Sequence, residues 1–260
     1  MKIAVVQMDV AFADPERNFA QVEGFVEEAA RAGTDVIVLP EMWNAGYALK
    51  ELDRIADVNG ERTKEFLSRL AKKHHVHIVG GSVATKKNDK FYNTMYVVDQ
   101  SGEIISEYDK AHLFKLMDEH KFMSAGEKAN VFTLAGVTCG GIICYDLRFP
   151  EWTRTHALKG AAVMFIPAQW PKPRIDHWQL LLQARAIENQ CYIVAVNRVG
   201  EDPNNEFNGH SMVIAPWGEL LLSGEAGEGI FYTELDFKEV KRVREAIPVF
   251  DDRRTHLYEL

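Results

Sequence analysis

Gly136-Val137-Thr138-Cys139-Gly140-Gly141-Ile142-Ile143-Cys144 is a near-continuous apolar run, and the segments on either side of it decide the fold. Its length and composition read as a strand buried on both faces. Pro150–Lys159 follows as a helix with proline in its first turn, where the missing N–H is no loss. Ala162–Ile166 is a second buried-type strand. Asp176–Gln190 is a helix with Asp176 as its expected N-cap, and Cys191–Val196 is a third strand.

The N-terminal half repeats the pattern. Ile3–Met8 and Asp35–Leu39 are apolar strand runs, the latter stopped by Pro40. Pro15–Arg31 places Phe19, Val22, Val26 and Ala30 on one helical face, closed by Gly33. Arg62–Lys73 does the same through Phe66, Leu67, Leu70 and Ala71. The period then shortens over His77–Ala84, Asn93–Asp99 and Glu103–Tyr108, with turn signals at Asn88-Asp89 and Ser101-Gly102. His210–Ala215, Glu219–Leu222 and Ile230–Leu235 continue the strands, and Phe237–Glu245 is a last helix. Sheets apolar on both faces need helical cover, so a single α/β domain with helices over the outer sheet surfaces is expected. The tail from Pro248 onward has no period and is expected to pack across a partner.

Composition narrows the function. The 260 residues are 47% hydrophobic and 26% charged, with a net charge of −8. That is globular usage, and an acidic chain without a Lys/Arg block argues against nucleic acid or an anionic membrane as partner. The longest uncharged stretch, Val131 to Tyr145, is shorter than the roughly 20 residues of a membrane helix. Three cysteines do not make a disulfide framework. With no leader-like N-terminus, a cytoplasmic location is expected.

Three chemical groups share one kind of position. Glu41 follows Val36–Leu39, Lys110 follows Glu103–Tyr108, and Cys144 follows Gly136–Ile143. Strand C-terminal ends are where α/β proteins place their sites. A carboxylate beside a thiol accepts its proton, an ammonium stabilises thiolate and oxyanion, and together they support acyl transfer through a thioester. Taken singly, each residue has a plainer reading: a core cysteine, a solvated glutamate, a surface lysine.

The local words carry the case further. Leu39-Pro40-Glu41-Met42-Trp43, Tyr108-Asp109-Lys110-Ala111-His112-Leu113-Phe114 and Gly141-Ile142-Ile143-Cys144-Tyr145-Asp146-Leu147-Arg148-Phe149-Pro150-Glu151 resemble the three signature segments of the nitrilase, or carbon-nitrogen hydrolase, superfamily. Phe91-Tyr92-Asn93-Thr94 and Ala184-Arg185-Ala186-Ile187-Glu188-Asn189-Gln190 extend the resemblance, which covers residues 1–245 as one domain and leaves 246–260 as a C-terminal tail. It implies a four-layer α-β-β-α sandwich, pairing into an eight-layer homodimer or a higher homo-oligomer. It assigns Cys144 as nucleophile, Glu41 as general base and Lys110 as stabiliser of the tetrahedral intermediate. The Tyr145 backbone N–H becomes the second oxyanion donor. Glu119 matches a further glutamate, with Asp118 adjacent as its competitor. No cofactor and no metal are implied.

Cys144-Tyr145-Asp146-Leu147-Arg148-Phe149-Pro150, Gln169-Trp170-Pro171 and His177-Trp178 resemble the omega-amidase branch, whose substrates are small 2-oxo dicarboxylic monoamides such as 2-oxoglutaramate. The carboxylate of such a substrate calls for arginine: Arg148 first, Arg174 second. Arg148 has an alternative use in an ion pair with Asp146 or Glu151. Trp43, Tyr47, Trp170 and Trp178 are candidates for an apolar pocket wall or for core. A short aliphatic amidase and an N-carbamoyl amino acid hydrolase stay open. A nitrilase is disfavoured because Tyr-Asp-Leu-Arg stands where a Trp-Glu pair is expected. Two readings come from other classes. His74, His75 and His77 lack zinc-site spacing and mark a helix end passing into a strand. A catalytically silent interaction protein with the same fold is opposed by the intact Glu41, Lys110 and Cys144 set.

Overall fold

The computed structural model describes residues 1–258. Its frame is two stacked sheets. The first runs, in spatial order, Gly229–Glu234, Lys2–Gln7, Val36–Val38, His77–Val79, Lys90–Val98, Val83–Lys87 and Asp57–Val58, with Ile104–Asp109 also paired to Lys90–Val98. The second runs Leu220–Ser223, Met212–Ile214, Tyr192–Asn197, Val163–Ala168, Val137–Gly141 and Val131–Leu134. The central strands of each sheet are parallel: Ile3 lies beside Val36, and Val163 lies between Cys139 and Tyr192.

Strand alternation builds the layers. Ile3, Val5, Val36, Val38, Val79 and Val97 face inward, packing in one cluster with Phe132, Phe165 and Val194 of the second sheet. Their neighbours Ala4, Val6, Ile37, Ile78 and Val98 face outward onto Phe19, Val22 and Val26 of the Pro15–Arg31 helix and Leu67 and Leu70 of the Glu61–His74 helix. Trp178, Leu182 and Ala186 of the Ile175–Asn189 helix cover the other outer face, beside the Pro150–Leu158 helix. Each buried Val or Ile contributes about 1.5–3 kcal/mol, so a one-residue register slip, which would turn both sets over, is heavily penalised. The layers are therefore α-β-β-α.

Several elements differ from the sequence expectation for physical reasons. His77–Ala84 is not one strand. It breaks at Gly80-Gly81-Ser82, where Gly81 takes φ +57° and its α-carbon sits against the Pro40 carbonyl. The strand before Cys144 ends at Gly141. Asp176 is not the N-cap; the helix begins at Ile175 after a 3-10 turn, Lys172–Arg174, and Arg174 occupies the cap position. The histidine cluster does mark a helix end: His75 caps the Glu61–His74 helix in the left-handed region and His77 starts a strand. In the tail, the Phe250 ring is approached by the guanidinium groups of Arg154 and Arg244 of its own chain, at 5.1 and 5.2 Å from its centroid. The tail's last residues, Glu259 and Leu260, lie outside the described residues. No helix among the described residues is long and apolar enough to cross a membrane.

Candidate active site

Glu41 is held in the turn after Val36–Val38 by Ser82, whose backbone N–H donates to the Pro40 carbonyl (3.1 Å) and whose Oγ accepts from the Met42 N–H (3.0 Å). The close passage of Gly81 makes this turn possible. Lys110 directly follows the Ile104–Asp109 strand, its N–H donating to the Asn93 carbonyl at 2.9 Å. Cys144 opens a 3-10 turn, Cys144–Arg148, with φ +45°. A left-handed non-glycine residue costs about 1–2 kcal/mol, so the surrounding contacts must hold Cys144 in place.

One buried carboxylate ties that turn to the lysine segment. Asp146 Oδ2 accepts from the Ile143 N–H (2.9 Å) and the Tyr108 hydroxyl (2.7 Å). Its Oδ1 accepts from the His112 N–H (2.9 Å) and faces His112 Nδ1 at 2.7 Å. The His112 ring stacks on Phe149 with centroids 3.7 Å apart.

Glu41, Lys110 and Glu119 are fully buried in one network. Lys110 Nζ donates to Glu41 Oε1 at 2.8 Å and to Glu119 Oε2 at 2.9 Å. Asn93 Nδ2 donates to both carboxylates, at 2.8 and 3.1 Å. The Tyr47 hydroxyl donates to Glu41 Oε1 at 2.8 Å, and the Gln169 N–H donates to Glu41 Oε2 at 2.7 Å. The Phe114 N–H donates to Glu119 Oε2 at 2.7 Å. Glu119, not Asp118, is thus the second acidic residue here; Asp118 is at the surface, paired with Lys121.

Charges inside this network perturb one another. Burial alone would lower Lys110, but Glu119 and Glu41 outweigh it and hold the ammonium well above its ordinary value. Burial raises the Glu119 carboxyl, with Lys110 opposing. Burial and then the Glu41 carboxylate push the Cys144 thiol well above its ordinary value, and Lys110 pulls the other way. Both influences favour the protonated thiol over the thiolate, and a carboxylate beside such a thiol can serve as its base.

Cys144 opens onto a narrow cleft lined by Phe114, Tyr145, Arg148, Gln169, Trp170 and Arg174, among others. Arg148 makes no ion pair with Asp146 or Glu151. Its guanidinium lies 4.7 Å from the Trp170 ring centroid, with Nη2 3.3 Å from His177 Nδ1. Arg174 lies over Phe114 at 5.6 Å. Trp170 is a cleft wall, its Nε1 donating to the Arg174 carbonyl at 2.7 Å. Tyr47 is not a wall of this cleft; its hydroxyl belongs to the Glu41 and Lys110 network. Trp43 and Trp178 are core, donating to the carbonyls of Gly80 and His210. Asn93 and Gln169 join the site although the sequence offered them no role beyond membership of quoted words. Among the described residues no group of three or more His, Cys, Asp or Glu side chains could hold a metal ion.

The α-β-β-α frame and the buried Glu41, Lys110 and Cys144 set define a class: hydrolases that act on carbon–nitrogen bonds. Residues 2–245 match the carbon-nitrogen hydrolase family, and the chain belongs to it. The chain is 53% identical over 256 residues to a 2-oxoglutaramate amidase of Bacillus subtilis (strain 168), covering 98% of each chain. It is 32% identical over 267 residues to the human omega-amidase NIT2, covering 99% of this chain and 96% of the relative. Among solved structures, a CN-hydrolase superfamily protein from Xanthomonas campestris superposes with a TM-score of 0.92 at 28% identity, covering 100% of this chain and 98% of that one.

Proposed function

We propose that this chain hydrolyses the terminal amide of small 2-oxo dicarboxylic acid monoamides, of which 2-oxoglutaramate is the type, through a thioester on Cys144. The observation that carries the proposal is the position of Cys144. Behind it stand Glu41 and Lys110; in front, a cleft carries two guanidinium groups and no carboxylate.

Glu41 takes the thiol proton as sulfur attacks the amide carbon. Lys110 Nζ and the Tyr145 N–H hold the oxyanion. Tyr145 is well placed for this as the second residue of the Cys144–Arg148 turn, where N–H groups have no partner within their own turn. The tetrahedral intermediate collapses, the carbon–nitrogen bond breaks, and ammonia leaves with the proton from Glu41. Water then gives a proton to Glu41 and its hydroxyl to the thioester carbon. Sulfur leaves, the thiol is re-formed, and the net change is amide plus water to carboxylate plus ammonium. Glu119 keeps Lys110 charged and fixed, and Arg148 holds the substrate carboxylate. Tyr47 and Asn93 orient Glu41.

Ammonia release tests the reading with 2-oxoglutaramate, 2-oxosuccinamate, short aliphatic amides, N-carbamoyl amino acids and a simple nitrile, using wild type and Cys144→Ala. Cys144-dependent turnover led by the two 2-oxo acids is expected. Preference for plain amides or carbamoyl compounds would remove the substrate assignment and keep the chemistry.

A further inference from the structure

We propose that Arg174 reads the 2-position of the substrate: beside Arg148, it favours a 2-oxo acid and excludes a 2-ammonium acid. The inference rests on the substrate reading above and extends it from the acid group to its neighbouring carbon.

Both guanidinium groups line the cleft that Cys144 opens onto, and each lies over an aromatic face, Trp170 for Arg148 and Phe114 for Arg174. A guanidinium held over a ring by cation–π attraction spends no N–H on an oxygen acceptor there, which leaves its donors for a ligand. Both platforms are fixed. The Trp170 N–H donates to Asn197 Oδ1 at 2.7 Å, and the Phe114 N–H donates to Glu119 Oε2 at 2.7 Å. The second bond joins the Arg174 platform to the Lys110 network. Among the described residues the Arg174 side chain has no hydrogen bond and no ion pair, and that of Arg148 has only the long contact to His177.

Two cations on one wall need more acceptor atoms than a single carboxylate gives. A carboxylate satisfies one guanidinium in a bidentate manner. The second then faces the group on carbon 2. A 2-oxo oxygen is an acceptor and nothing else. An ammonium offers only donors and a positive charge. The cleft lining includes no carboxylate that could receive it. Glu41 and Glu119, the nearest acids behind Cys144, are already occupied by Lys110, Asn93, Tyr47 and backbone N–H groups. The order of preference at carbon 2 is therefore oxo, then methylene, then ammonium.

Three amides that differ only at that carbon test the proposal: 2-oxoglutaramate, glutaric acid monoamide and glutamine. For Arg174→Gln, the kcat/KM ratio of the oxo to the methylene substrate should fall at least tenfold. The ratio of glutamine to the methylene substrate should rise at least tenfold. Arg174→Lys, which keeps charge and loses the planar fork, should still exclude glutamine while losing part of the oxo preference. Arg148→Gln should raise KM for the oxo and methylene acids alike and leave their ratio in place. Equal losses on all three substrates in Arg174→Gln, or no change in either ratio, would overturn the proposal. Wild type that turns over neither the oxo nor the methylene acid would overturn the substrate reading, and this inference with it.

Discussion

Replacing Asp146 with asparagine probes the joint between the nucleophile turn and the lysine segment. Four donors converge on this buried carboxylate, two on each oxygen. An asparagine keeps one acceptor oxygen. With that oxygen turned to His112, the new NH2 group faces the Ile143 N–H and the Tyr108 hydroxyl, whose oxygen already accepts from the Ala111 N–H and the Trp152 indole N–H, so donor meets donor. Stranding a buried donor costs about 1–3 kcal/mol, and each lost bond to a charged group contributes about 1.5–3 kcal/mol. A net loss of about 3 kcal/mol follows, which for a chain of this size lowers Tm by roughly 6–12 °C. Because Ile143 precedes the strained Cys144, kcat should fall as well, with KM little changed. Thermal unfolding followed by near-ultraviolet circular dichroism, together with steady-state kinetics on the folded variant, checks both parts. A Tm within about 2 °C of wild type and an unchanged kcat would refute the reasoning that assigns this joint its weight.

Other substitutions test neighbouring features. Lys110→Met leaves Glu41 and Glu119 buried without a counter-charge; a stability loss of about 3–5 kcal/mol is expected in urea unfolding, with kcat down at least about 100-fold. Gly81→Ala puts a methyl group against the Pro40 carbonyl at φ +57°, so Tm and kcat should fall together as the Glu41 turn shifts. Alkaline pH should also weaken the fold. Burial pushes Cys139 and Cys191 up to about 12, so above pH 9 the native state holds protons that the unfolded chain has lost, and stability falls as pH rises toward 12. Each thiol contributes a slope of up to about 1.4 kcal/mol per pH unit, and Cys139→Ala should remove one such slope from urea midpoints measured between pH 9 and 11.

How legible this was from sequence varied with the range of the contacts. Hydrophobic period located most elements within a residue or two, because burial on one or both faces is written locally. Pro15–Arg31 is the plainest example. Glu41, Lys110 and Cys144 were visible as groups at strand ends, and the signature words joined them. His77–Ala84 reads as one strand because its apolar pattern runs on past Gly80-Gly81; the Pro40 carbonyl, which that glycine pair packs closely against, lies forty residues earlier and leaves no local trace. Tyr47 read as a wall because an aromatic ring suggests one, but its hydroxyl is what the site uses. Asn93 and Gln169 reach Glu41 across long stretches of chain, which no local period records. The alternative use for Arg148 failed because Asp146 is already filled by backbone and phenolic donors, a fact of tertiary packing alone.

The most direct measurement is intact-protein mass spectrometry of enzyme acid-quenched during turnover of 2-oxoglutaramate, with peptide mapping of any adduct. An adduct equal to substrate minus ammonia, confined to the peptide that carries Cys144 and lost in Cys144→Ala, is the expected result. Ammonia release that persists in Cys144→Ala, or an acyl group on any other side chain, would contradict the account.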